Sequence, residues 1–335
     1  KEITYVNKPH IGTDVLREVI INMRKSIERL GGKFLFETKL TDLNIKDNKL
    51  ESVVLNGKET LPCSAVLLAI GHSARDTFYL LNAKGVTMQN KPFAVGMRIM
   101  HPQSLIDKNQ YGLLDDRLPV ASYKLTFKAS NGKGVYSFCM CPGGYVVNAS
   151  SEINRLCING MSYSKRDSGI ANSALIVTVN ENDYGTNLFD GIKFQRNLEE
   201  KAYQLGNGLI PTETYGDYKD NKRPKTIGKL EPKIKGGYRI ADLNELLPDN
   251  LNIALKEGIE NFDRKIKGFA DKETLLCGIE ARTSSPIRII RNENYESNIE
   301  GLYPSGEGAG YAGGITSAAI DGLKVSEAIM NKFKN

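Results

Sequence analysis

Apolar residues first recur at helical spacing. Val15, Leu16, Val19, Ile20, Met23, Ile27 and Leu30 form one stripe, which predicts an amphipathic helix over residues 12–31. Thr13 is its expected N-cap, Asp14 suits its first turn, and Gly31-Gly32 ends it. The period then drops to two. Strands are expected over 33–36, 40–45, 50–55 and 58–61. Residues 65–70 are wholly apolar, the pattern of a short strand covered on both faces. That run stops at Gly71-His72-Ser73-Ala74, and a short helix is expected over 76–82.

From about 91 to 278 the texture changes to Tyr, Asn and Gly among short alternating runs at 94–100, 135–139, 145–148 and 175–179. Helices are expected over 194–206 and 251–259. At the end, a short strand over 301–305 runs into a glycine-rich turn, then a helix over 315–333. Ile315, Ala319, Ile320, Leu323 and Ile329 are its expected inner stripe. The class read from this is α/β together with α+β. An α+β domain over 91–278 is inserted between two halves, 1–90 and 279–335, of a discontinuous domain.

Length and composition narrow the classes. A chain of 335 residues, 40% hydrophobic and 25% charged, suits two globular domains and can bury a core without disulfide staples. No apolar run approaches the ~18 residues of a membrane span, and residues 1–10 are too polar for a signal peptide. Five cysteines, an odd number, point to a reducing compartment, so a cytoplasmic location is expected. Three histidines and one Cys139-Met140-Cys141 pair are too few for a zinc site, so no metal is expected.

Charge is unevenly placed. Residues 219–239 carry eight basic and two acidic side chains, which accounts for the whole net charge of +6. Such a segment could attract phosphate or nucleic acid, or be a solvated loop. It lacks the interleaved aromatics of single-strand binders, so nucleic acid is not expected.

The turn Gly306-Glu307-Gly308-Ala309-Gly310-Tyr311-Ala312-Gly313-Gly314 holds five glycines in nine residues. Its GxGxxG spelling is not the dinucleotide fingerprint, which opens a strand–helix–strand unit; here only one helix follows. Glycines still let a backbone approach a ligand closely. The helix behind them aims unpaired N–H groups and a positive dipole end at whatever sits there. A bare tight turn is the alternative, but it needs only one or two glycines.

Several blocks together resemble two-dinucleotide-fold flavoproteins, more narrowly the bacterial FAD-dependent proteins described as NAD(FAD)-utilising dehydrogenases. They are residues 8–14, Ile70 to Asp76, Cys139 to Gly144, Asn159 to Ser162, Glu280 to Pro286 and Leu302 to Gly314. The resemblance implies a partial FAD-binding, glutathione-reductase-like Rossmann-type domain with the α+β insertion as substrate domain. It implies FAD contacts at Gly71, His72, Arg282, Gly306, Glu307, Gly308, Gly313, Gly314 and Ile315. Glu307 stands where the family usually has Asp. Family members also open with a strand, GxGxxG and helix that precede nothing here. The chain therefore reads as the C-terminal part of a FAD-dependent oxidoreductase. Half a cradle binds weakly, so this piece is expected to be free of FAD and inactive.

In such a protein the flavin carries the hydride chemistry and the side chains tune it. Cys139 and Cys141 are candidate redox-active residues, or simply small residues at a strand end. His10 is a candidate acid or hydrogen bonder, or a surface histidine. Arg282 can offer a forked donor to a carboxylate or phosphate, or brace a loop. NAD(P)H is the expected electron donor and the substrate an unidentified small molecule. The competing class is a non-catalytic module that uses residues 219–239 to hold an acidic partner such as RNA. No Ser-His-Asp spacing favours hydrolysis.

Overall fold

The computed structural model describes residues 10–334, so Lys8 and Pro9 of the first block lie outside the described residues. The described residues form a mixed α/β structure with eight α-helices and seventeen strands. They cluster into two units. Of the described residues, one unit comprises 10–34, 95–178 and 196–281, the other 35–94, 179–195 and 282–334. No helix of the described residues is long and apolar enough to cross a membrane.

The first unit is built on a seven-stranded, mainly antiparallel sheet. Its middle strand, Phe93–Pro102, is buried along nine of its ten residues, which is why it reads as nearly continuous apolar sequence. Leu275–Glu280 pairs with it antiparallel on one side, and Ile170–Val179 is its other neighbour. Only glycine fits at 96, because a Cβ there would lie 2.0 Å from the Leu175 carbonyl oxygen. The helix Asp249–Asp263 buries Leu251, Ala254, Leu255, Ile259 and Phe262, one helical face.

The first helix spans Thr13–Arg29, close to expectation, but its cap differs. Gly12 is the N-cap at φ +85°, and Thr13 lies inside the helix with its hydroxyl donating to the Ser162 carbonyl. Only glycine holds that backbone conformation without strain. The expected inner stripe is not buried: no residue of this helix is. Residues 33–36 are not a strand either. The chain turns at Phe36-Glu37, with Glu37 at φ +52°.

The second unit holds the antiparallel strands Leu40–Lys46, Lys49–Leu55 and Glu59–Pro62, and a parallel pair, Val66–Leu68 with Leu302–Pro304. Leu43, Leu50, Phe78, Leu81, Ile287, Ile289 and Leu302 form its core, with Phe78 and Leu81 coming from the helix Arg75–Ala83. The apolar run 65–70 yields only the three-residue strand, of which Val66 and Leu67 are half-buried rather than covered on both faces. The last helix spans Ile315–Lys332 and turns a different face inward from the expected one. Asp321 and Val325 are buried, whereas Ile315 is 75% and Leu323 66% exposed. An ion pair, described next, sets this rotation.

Candidate functional site

In the second unit the two ends of the parallel strand pair bring the glycine turn against the Gly71 turn. A Cβ on Gly308 would lie 2.5 Å from the Gly71 carbonyl oxygen, so this contact exists only because residue 308 is glycine. Gly71 and Gly306 take φ +64° and +74°. Asp321 fixes the turn from behind. Its carboxylate accepts from the Gly306 N–H at 2.7 Å and the Ser305 hydroxyl at 3.2 Å, and pairs with both terminal nitrogens of Arg291 at 2.9 and 2.6 Å. Burial opposes the Asp321 charge, but Arg291 and these donors outweigh it and lower its pKa. The Arg291 guanidinium also stacks over the Tyr311 ring, 3.7 Å from its centroid.

His72 and Glu307 meet in the same place. His72 Nδ1 lies 2.5 Å from Glu307 Oε1. A carboxylate only accepts, so Nδ1 donates. The His72 side chain is 4% exposed and its Nε2 is buried with no hydrogen-bond partner. Arg282 donates to the Ser73 hydroxyl at 2.9 Å, bracing the Gly71 turn. Lys91 is half-buried. Burial lowers its pKa, and Arg288 adds to the shift while Glu307 opposes it. Gly313, Gly314 and Ile315 stand at the start of the last helix. Gly314 caps it without a side-chain acceptor, and a Cβ on Gly313 would meet nothing within 4 Å.

The structure thus brings Gly71, His72, Arg282, Glu307, Gly306 and Gly308 together. The other candidates lie in the first unit. His10 is exposed, with Nε2 3.2 Å from the Tyr163 carbonyl. Cys139 is exposed and takes φ +43°, and the Cys141 thiol faces its carbonyl at 3.3 Å. Burial pushes the Cys141 thiol up, while Arg98 works against that shift. Thiolate reactivity needs the opposite direction. Among the described residues no group of three or more His, Cys, Asp or Glu could hold a metal ion.

Sequence reasoning missed what joins these blocks, namely Arg98. Its side chain is wholly buried and its five N–H donors are all used. Nε and Nη2 hold Glu280 at 2.8 and 3.3 Å. Nη1 holds Asn172 at 2.8 Å and the Cys139 carbonyl at 3.1 Å, and Nη2 also reaches Asn159 at 3.0 Å. Gly160 lies flat against it, since a Cβ there would sit 2.1 Å from Nη1. Burial works against the Arg98 charge and Glu280 outweighs it; burial likewise pushes the Glu280 carboxyl up and Arg98 pulls it back. The one sequence signal was a lone charge inside an apolar strand, where burial demands a partner.

Comparison with known proteins follows the same lines. The family model described as FAD-dependent protein, C-terminal domain-like, matches residues 92–283. An uncharacterized protein of Clostridium beijerinckii is 51% identical over 99% of this chain and 63% of its own length, so the chain spans less than two thirds of that relative. Two solved structures were also found. An oxidoreductase from Methanosarcina mazei is 12% identical over 91% of this chain and 52% of its own, with a TM-score of 0.35. Pseudomonas aeruginosa PqsL, in complex with 2-aminobenzoylacetate, is 12% identical over 94% and 56%, with a TM-score of 0.34. Scores this low carry no argument about this chain.

Proposed function

The chain belongs to the FAD-dependent protein, C-terminal domain-like family, and from that premise we propose that it is the C-terminal part of a FAD-dependent oxidoreductase. In this reading the second unit contributes to a Rossmann-type, glutathione-reductase-like FAD fold, and the first is the substrate domain. NAD(P)H is the electron donor and a small molecule the substrate. The observation that carries the reading is the paired glycine turns. Asp321, paired with Arg291, holds the Gly306 turn and Arg282 braces the Gly71 turn, yet a Cβ at Gly71 or Gly313 would meet nothing within 4 Å.

The residues fit such a cofactor. The His72 Nε2 atom is a buried polar atom left for a partner, and Gly313 leaves room at an uncapped helix start. Bound FAD would supply hydride transfer. Gly71 and Gly306 to Gly308 would admit a phosphate-bearing chain close to the backbone. His72, oriented by Glu307, would hold a hydrogen bond to it, and Arg282 would keep the Gly71 turn in shape. The first N–H groups of the last helix would favour negative charge on a reduced ring.

The test is a titration of FAD, followed by flavin fluorescence and visible absorption, into this chain and into the full-length Clostridium beijerinckii relative. The reading expects a bound flavin in the relative, bleached anaerobically by NAD(P)H. Absence of binding to both proteins would refute it.

A further inference from the structure

The basic segment has a structure of its own, and it is not uniform. Half of its eight cations are spoken for. Lys219 pairs with Glu260, Lys222 with Asp220 and Lys233 with Glu231, while Lys235 sits over the Tyr145 and Tyr163 rings. Of the other four, Arg223 and Arg239 share a groove that Lys225 and Lys229 do not line. Among the described residues neither arginine has a carboxylate partner, and the groove, of ≈ 480 Å³, lies in the first unit. Lys201, from the helix Asp190–Gly206, lines the same groove and is equally free of an ion pair. The helix Asp190–Gly206 and two points of the basic segment therefore deliver three unneutralised cations to one groove. Gln204 adds an uncharged amide, Glu245 is the one acidic residue in the lining, and Leu246 gives a buried apolar patch.

Like charges in one concavity repel, and neighbouring cations of the same segment relieve that cost with carboxylates. Here Glu245 offsets only one of three, leaving two positive charges in excess. Arginine offers a planar fork suited to phosphate oxygens, and the cavity is of a size that takes small organic ligands. We infer that the groove lined by Lys201, Arg223 and Arg239 binds a small molecule bearing a phosphate dianion. The site is independent of the flavin reading and stands or falls without it. A phosphate dianion matches the excess charge; a nucleic acid would need a continuous track of free cations, whereas here Lys219, Lys222 and Lys233 are paired and interrupt it.

The test is phosphorus-NMR line broadening, with this chain titrated by inorganic phosphate and separately by ribose 5-phosphate. Saturable binding is expected, about tenfold weaker in each of Arg223→Gln and Arg239→Gln, as for loss of one charge-assisted bond. Lys229→Gln, an exposed cation of the same segment outside the groove, is the control and should bind as the parent does. Tighter binding of ribose 5-phosphate identifies a phosphorylated organic ligand, and equal binding identifies phosphate itself. Binding that never saturates, or that falls equally in Lys229→Gln, would overturn the inference. So would a single-stranded RNA that binds this segment with a steep salt dependence while neither small anion binds.

Discussion

Replacing Arg98 by Met should be among the most destabilising single changes in the first unit. Met fills most of the same volume but donates nothing. Glu280, whose side chain is 4% exposed, is left without its cation, and Asn172, Asn159 and the Cys139 carbonyl each lose a donor. Breaking a buried pair by removing one partner costs roughly 3–5 kcal/mol, most of it from the stranded charge. At ~2–4 °C per kcal/mol for a domain of this size, Tm should drop by roughly 6–20 °C. Urea unfolding followed by circular dichroism measures the change. The double variant Arg98→Met with Glu280→Gln removes the stranded charge, so it should recover a large part of the loss; additivity of the two changes is excluded by the geometry. Gly160→Ala attacks the same hub from outside, because its Cβ would overlap the guanidinium at 2.1 Å from Nη1. In an Arg98→Met background that substitution should cost less, with the approach to Asn172 Oδ1 at 2.6 Å remaining. A loss below about 1 kcal/mol for Arg98→Met, the worth of a surface ion pair, would refute the reasoning.

Three further outcomes are expected. Glu213 is fully buried, and burial pushes its carboxyl up to about 8. The unfolded carboxyl ionises near 4.5, so between these values the folded state holds the extra proton and stability falls as pH rises. The slope is at most roughly 1.4 kcal/mol per pH unit. Glu213→Gln should flatten that stretch of a Tm-against-pH curve; an unchanged slope would assign it elsewhere. In the second unit, Gly308→Ala should destabilise by about 1–3 kcal/mol, since its Cβ must push the Gly71 backbone away. Gly313→Ala should leave the melting curve unchanged while weakening FAD binding in the full-length relative's equivalent, a separation that calorimetry and flavin fluorescence read directly.

Much of the architecture was legible in the sequence because periodicity reports local geometry. The helices Thr13–Arg29, Arg75–Ala83, Asp249–Asp263 and Ile315–Lys332 all follow the apolar spacing, as do the strand pair Leu40–Lys46 and Lys49–Leu55. The site was partly legible. The glycine density at 306–314 marked a close backbone approach, and Gly308 against Gly71 is one. Orientation was not legible. In the last helix the hydrophobic stripe points outward, because Asp321 is drawn in to hold Arg291 and the Gly306 N–H. Asp321 faces inward with its bonds satisfied, and spacing alone cannot see its partner 30 residues away. The same holds for Arg98. The blocks around Cys139, Asn159 and Glu280 each carried part of the family resemblance, and what unites them is the attachment of all three to one buried guanidinium.

The first helix is the extreme case of pattern without burial, and that makes its dynamics predictable. None of its side chains is buried, so tertiary packing contributes little to holding it. Its first turn is tethered to residues 162–164. The Thr13 N–H and hydroxyl both donate to the Ser162 carbonyl, and the Asp14 carboxylate accepts from the Ser164 N–H at 2.8 Å and hydroxyl at 2.7 Å. Those bonds to Ser164 lower the Asp14 pKa, so the tether is complete above the ordinary carboxylate range and weakens as pH falls through the depressed value. Local opening should therefore start at Arg29 and run toward Thr13 at little free-energy cost. Hydrogen exchange should show weak protection over 20–29, against strong protection in the strand Phe93–Pro102. Asp14→Asn keeps one acceptor but loses the charge, and should spread the weak protection back to the first turn. Protection at Ile20 to Ile27 equal to that of the central strand would mean that this face is packed in solution, and weak packing would be the wrong account of the helix.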